Sequence, residues 1–274
     1  MKLHRLALVA LPAALLLVAC GDSVAVTSTP DTTVAGIQHP TGPDDVVLQL
    51  TVAGGFVPVE QAFGNVPSVT IYGDGTVITP GATTMIFPGP LVGPLFQQTM
   101  TEDGLQQVLG AAEAAGLLAT PPSYESAGAD RMADLPTTEL VINAAGGQWT
   151  HQAYALSEAT DTPERQRLLD FVTSLGDLTT LAGPDALGAP EPYVADSYRI
   201  RATPDPEEPE DVQPTVVAWP EPAVDLAAAA ECAVAGGPAV TAAFADATQL
   251  TWFTQDGVTY SLLARPLLPG EQGC

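Results

Sequence analysis

The chain reads as an α+β protein in which antiparallel β-hairpins pack with three helices. Three kinds of signal carry that reading. Short alternating segments are joined in pairs by glycine-centred turns, at 69–78, 137–154 and 248–263. Two apolar stripes at helical spacing open on Thr-led caps, near Thr101 and at Thr162. A proline-rich stretch after Leu181 separates two runs of such elements.

Taken in order, residues 45–52 alternate well enough for a first strand. Val69-Thr70-Ile71-Tyr72 and Thr76-Val77-Ile78 flank Gly73-Asp74-Gly75, a hairpin whose glycines are free to take positive φ; Asp74 reads as a turn residue. A helix follows, capped by Thr99 or Thr101. Glu102 and Asp103 lie in its first turn, where the helix dipole favours acids. Leu105, Val108, Leu109, Ala112 and Leu117 form its apolar stripe and Gly116 its exit. A second hairpin turns at 144–147, with Trp149-Thr150-His151-Gln152-Ala153-Tyr154 as its return strand. Thr162-Pro163-Glu164 opens the second helix, whose core face is Leu168, Leu169, Val172 and Leu175.

Beyond the prolines at 184, 190 and 192, strands are expected at 197–201 and 215–219, separated by an acidic, proline-interleaved run at 205–211. A third helix is expected over 225–235, then a closing hairpin around Gln255-Asp256-Gly257. Two arrangements fit this order. Either two similar α+β units lie at 45–182 and 183–274, or one long sheet carries three helices.

The amino end has a different character. Lys2 and Arg5 precede thirteen apolar residues, 6–18. That run is too short to span a hydrocarbon core, which takes roughly 20 apolar residues, and it fits a signal peptide at 1–19. The segment Leu17-Val18-Ala19-Cys20, followed by Gly21, resembles the lipobox of bacterial lipoproteins. The resemblance covers only these residues. It implies that Cys20 receives a diacylglycerol and becomes the mature amino terminus, anchoring the protein to the extracytoplasmic face of the cell membrane. Two or three acyl chains, at about 0.8 kcal/mol per buried methylene, make such an anchor durable. Residues 20–44, rich in Ser, Thr, Pro, Asp and Gly, read as a flexible tether. The Ala-, Gly- and Pro-rich composition, with no Lys after Lys2, resembles that of proteins from GC-rich actinobacterial genomes.

With Cys20 assigned to lipid, Cys232 and Cys274 remain, and in an oxidising envelope they are expected to form a disulfide. The mature chain keeps six arginines against 32 acids, a net charge of −26. Such a surface repels phosphate backbones, so nucleic acid is not an expected partner.

Catalytic chemistry leaves little trace. No G-x-S-x-G elbow, S-x-x-K, H-E-x-x-H, Cys/His cluster or EF-type loop is present. His4 leaves with the signal, His39 falls in the tether, and His151 shares a strand face with Trp149 and Ala153, which predicts a sheet residue packed inward. The acids at 205–211 read as a solvated loop, and Trp149, Trp219 and Trp252 as core or sheet-face residues. No catalytic, cofactor or metal residue is assigned. The expectation is a lipid-anchored envelope protein that binds an unknown envelope protein or ligand. The alternatives are a carboxylate-dependent hydrolase of envelope polymers and, less directly, weak Ca²⁺ binding by acidic loops.

Overall fold

The computed structural model describes residues 36–83, 86–128 and 131–274. The expected signal peptide, Cys20 and most of the tether lie outside the described residues. From Gly36 to Cys274 the chain forms one contact-dense unit. It is α+β, built on two sheets.

The first sheet has seven strands, all paired antiparallel, in the order β6-β5-β1-β2-β3-β4-β7. These are β1 (Val46–Gly54), β2 (Val69–Tyr72), β3 (Thr76–Pro80), β4 (Leu95–Thr99), β5 (Pro136–Ala144), β6 (Gly147–Tyr154) and β7 (Glu191–Tyr193). A six-residue helix, α1 (Val59–Gly64), lies between β1 and β2. Helices α2 (Glu102–Ala114), α3 (Pro163–Ser174) and α4 (Leu178–Ala182) bring Leu105, Val108, Leu109, Leu168, Phe171 and Leu178 into one core with Leu48, Leu50, Ile71, Leu140 and Ile142. The two long helices start where their caps predict. Thr101 accepts from the Gly104 amide and Thr162 from the Arg165 amide, each filling a donor that the first helical turn leaves open.

The second sheet runs β10-β8-β12-β11-β9. Its strands are β8 (Ser197–Pro204), β9 (Thr215–Ala218), β10 (Ala233–Gly236), β11 (Thr251–Gln255) and β12 (Val258–Pro266). Unlike the first sheet it holds a parallel pair, β9 with β11. Helix α5 (Pro238–Ala245) closes its core, setting Phe244 among Tyr198, Trp219 and Phe253 in edge-on and tilted ring contacts. Trp219 and Trp252 are buried, and Trp149 donates from its ring nitrogen to the Ala144 carbonyl.

Two expectations change. The helix expected over 225–235 is instead a single 3-10 turn, Leu226–Ala228, followed by β10. Alanine favours helix, but Ala229 accepts from the Ala202 amide and residues 233–236 complete a ladder with β8. Tertiary pairing therefore overrides local propensity. The tether also ends earlier than Asp44. The Gln106 side chain accepts from the Ile37 amide at 2.7 Å and donates to its carbonyl at 3.0 Å, Gln38 accepts from Ala145, and Asp45 from Gly73. His39 lies 3.1 Å from Glu102 at the start of α2, and that hydrogen bond holds the Glu102 carboxyl below its usual range.

Cys232 and Cys274 are joined, with Cα atoms 6.0 Å apart and a sequence separation of 42. The tail before Cys274 is also held without sulfur. Leu267 and Leu268 are buried, and Glu271 takes a two-pronged bond from Arg265 at 2.7 and 2.9 Å. Replacing Cys232 and Cys274 together with serine should lower unfolding stability by about 4 kcal/mol, the loop-closure value for this spacing. Urea unfolding with and without reductant measures it; a wild-type curve unmoved by reduction contradicts it.

Candidate functional site

Among the described residues, a shallow concave polar surface lies where β7 peels away from β4. Gln97 pairs with Glu191, yet Met100 bridges to Leu187, so one extra residue sits on the β7 side. This is a β-bulge, and bulges open a ladder locally and re-aim side chains. Pro190 falls inside it and has no amide hydrogen for the ladder. Below the bulge, Gly188 donates to the Thr99 carbonyl at 2.8 Å. A Cβ at Gly188 would stand 2.6 Å from Thr99 Oγ1, so only glycine lets the strands close there.

The gap is a cavity of about 270 Å³ lined by Thr76, Gln97, Gln98, Thr99, Gly188, Ala189 and Glu191. Thr76, Gln97, Thr99 and Glu191 share one face of the sheet here, so one amide, two hydroxyls and one carboxylate face it. Gln97 Nε2 donates to Glu191 Oε1 at 2.9 Å, which fixes both side chains. This set can exchange hydrogen bonds with hydroxyl or amide groups of a ligand. It holds one carboxylate, whereas glycoside cleavage by the usual route takes two. Thr76 and Thr99 enter the sequence reading only as a strand and a cap residue, and none of the lining residues is read there as a site residue. Gln97 and Glu191 are 94 positions apart, and the pairing of β4 with β7 unites them.

The other residues weighed from sequence lie elsewhere. His151 is fully buried on β6. Its Nε2 is 2.9 Å from the Leu117 carbonyl, so that nitrogen carries the proton and Nδ1 accepts from the Tyr124 hydroxyl at 2.7 Å. Burial pushes the Tyr124 phenol up to about 12 and holds His151 below its ordinary value. Both ring nitrogens are committed to packing. The acids at 205–211 lie on an exposed loop, and among the described residues no three His, Cys, Asp or Glu gather to hold a metal.

His151 carries a pH prediction. The folded chain keeps it neutral, while the unfolded chain protonates it near 6.5. Its contribution is therefore whole above pH 6.5 and falls, by at most about 1.4 kcal/mol per unit, as pH drops toward 5. His151→Gln should lose this dependence in urea unfolding across pH 5–7. Parallel curves for the two proteins would contradict the assignment.

Sequence reasoning also missed Arg165. It lies in the first turn of α3 and is almost wholly buried. Its guanidinium donates to the Ala159 carbonyl, to Tyr124 at 2.5 Å, and to Tyr154 and Ala155 at 2.8 Å each. One side chain thus ties α3, the end of β6 and the segment around Tyr124.

No family model, curated protein or solved structure matches the chain.

Proposed function

We propose that the protein is an exported envelope lipoprotein, moored through acylated Cys20, whose folded part works by binding rather than by catalysis. The observation that carries the mooring is Leu17-Val18-Ala19-Cys20 at the end of a short apolar run behind Lys2 and Arg5. The disulfide supports it, since such bonds persist in oxidising compartments. Among the described residues no helix is long and apolar enough to cross a membrane, so the reading places membrane attachment on lipid.

Binding is assigned to the bulge cavity. Its amide and hydroxyls suit an uncharged, hydrogen-bonding ligand, a neutral sugar unit or a peptide segment of an envelope polymer or protein. With a net charge of −24 over the whole sequence, nucleic acid is not a partner on this reading. Calorimetry against soluble neutral oligosaccharides and short peptides released from the envelope tests it. At least one should bind, and Gln97→Ala together with Ala189→Trp, which removes an amide and fills the gap, should abolish the heat. Binding that survives both changes, or no binding at all, contradicts the assignment.

A further inference from the structure

The connection from β1 to β2 is built to display apolar side chains. Phe56 is 91% exposed, and Val52, Val57 and Val59 are exposed beside it, four apolar residues within eight positions. Scattered exposed apolar residues are ordinary; a cluster around a projecting aromatic marks an interaction surface.

The mount beneath is tied by hydrogen bonds to the second sheet. Arg199 Nη2 donates to the Phe63 carbonyl at 2.9 Å, and its guanidinium lies over the Phe63 ring at 4.7 Å from the centroid. Arg265, directly opposite Arg199 across β8 and β12, donates to the Asn65 carbonyl at 2.6 Å. Asn65 reaches back to the Val52 carbonyl at 3.1 Å, and the Phe56 amide donates to Asp134 at 3.1 Å. Gly55 takes φ +83, and a Cβ there would sit 3.0 Å from the Asp134 carbonyl. Two of the seven arginines in the chain thus hold a segment whose helix buries no residue of its own. Holding the backbone at Phe56 in advance lowers the entropic cost of association.

We infer that residues 52–60 form a docking finger whose occupant is a protein with an apolar pocket for Phe56 ringed by basic side chains. Charge selects this occupant. The chain carries a formal −24, exposed Asp134 lies against the tip through its carbonyl bond to Phe56, and exposed Glu60 opens the helix that follows. A second copy would bring the same charge to the same place, and anionic lipid headgroups repel it as well. A cationic rim is attracted, and an aromatic anchor seated in a pocket is the usual centre of a binding hot spot. The finger rests on the fold alone and is independent of the Cys20 and cavity assignments.

The test places the photo-reactive residue p-benzoylphenylalanine at position 56 of the full chain, with position 148 on exposed β6 as control, and irradiates intact cells. The expected adduct joins position 56 to one protein of net positive charge. Position 148 should give no such adduct. The yield should drop several-fold in cells washed at 0.5 M salt, where charges are screened beyond roughly 4 Å. An adduct to lipid, to a second copy or to an acidic protein overturns the inference, as do equal yields at both positions, salt-insensitive capture or no adduct. Phe56→Ser, in an exposed position, keeps the fold and should remove the partner from co-purification; retention would count against the finger.

Discussion

Replacing Arg165 with methionine should lower unfolding stability by about 3–5 kcal/mol, the largest loss expected from one side chain here. Methionine refills much of the volume but supplies no donor. The carbonyls of Tyr124, Tyr154, Ala155 and Ala159 then lose their partner together. A buried polar group left unpaired costs about 1–3 kcal/mol, and partial access of water to some of the four brings the sum into the stated range. Lysine should recover only part. Its ammonium has three donors on a point, whereas these carbonyls surround a planar fork. Thermal melts should place Arg165→Met on the order of 10 °C below wild type, with Arg165→Lys between the two. A shift below about 2 °C for methionine would show that the carbonyls find other donors.

Changing Cys20 to serine should move the protein from the membrane fraction to the soluble envelope or medium almost entirely. On the proposed reading the acyl chains are the whole of the attachment, because the acidic surface adds no attraction to anionic lipid. Two acyl chains give durable binding where one is marginal, so losing all of them leaves nothing to hold the domain. The fold should be unaffected, since the described unit begins at Gly36. Detergent phase partition of wild type and Cys20→Ser checks it. A variant that stays with the membrane would assign attachment to another part of the chain.

What was legible beforehand is what local chemistry encodes. Thr101 and Thr162 announced their helices because a cap is a short-range hydrogen bond. The hairpins were visible because their turns need glycine and their strands alternate. Strands β4, β7 and β10 were not visible, since each is short and takes its identity from a distant neighbour. Residues 225–235 misled for the same reason: a run of alanines has helical propensity and little apolar area with which to enforce it. Helix α5 did carry a signal, Gly237-Pro238 followed by Val240 and Phe244 at helical spacing, and it went unread.

The candidate site was less legible than the fold. Its lining joins β3, β4 and β7, and the cavity exists because of one extra residue near Pro190, a proline that reads as a boundary when seen alone. Arg165 shows the converse. A charged residue near a helix start reads as solvated, and only the convergence of distant carbonyls reveals it as a core residue.

Mass spectrometry of the amino-terminal peptide from membrane-extracted protein bears most directly on the mooring. The account predicts that the peptide starts at Cys20 and carries a diacylglycerol-sized addition on its sulfur, with or without a further amide-linked chain. A peptide that begins at Met1, or one that begins at Cys20 with an unmodified thiol, would contradict it.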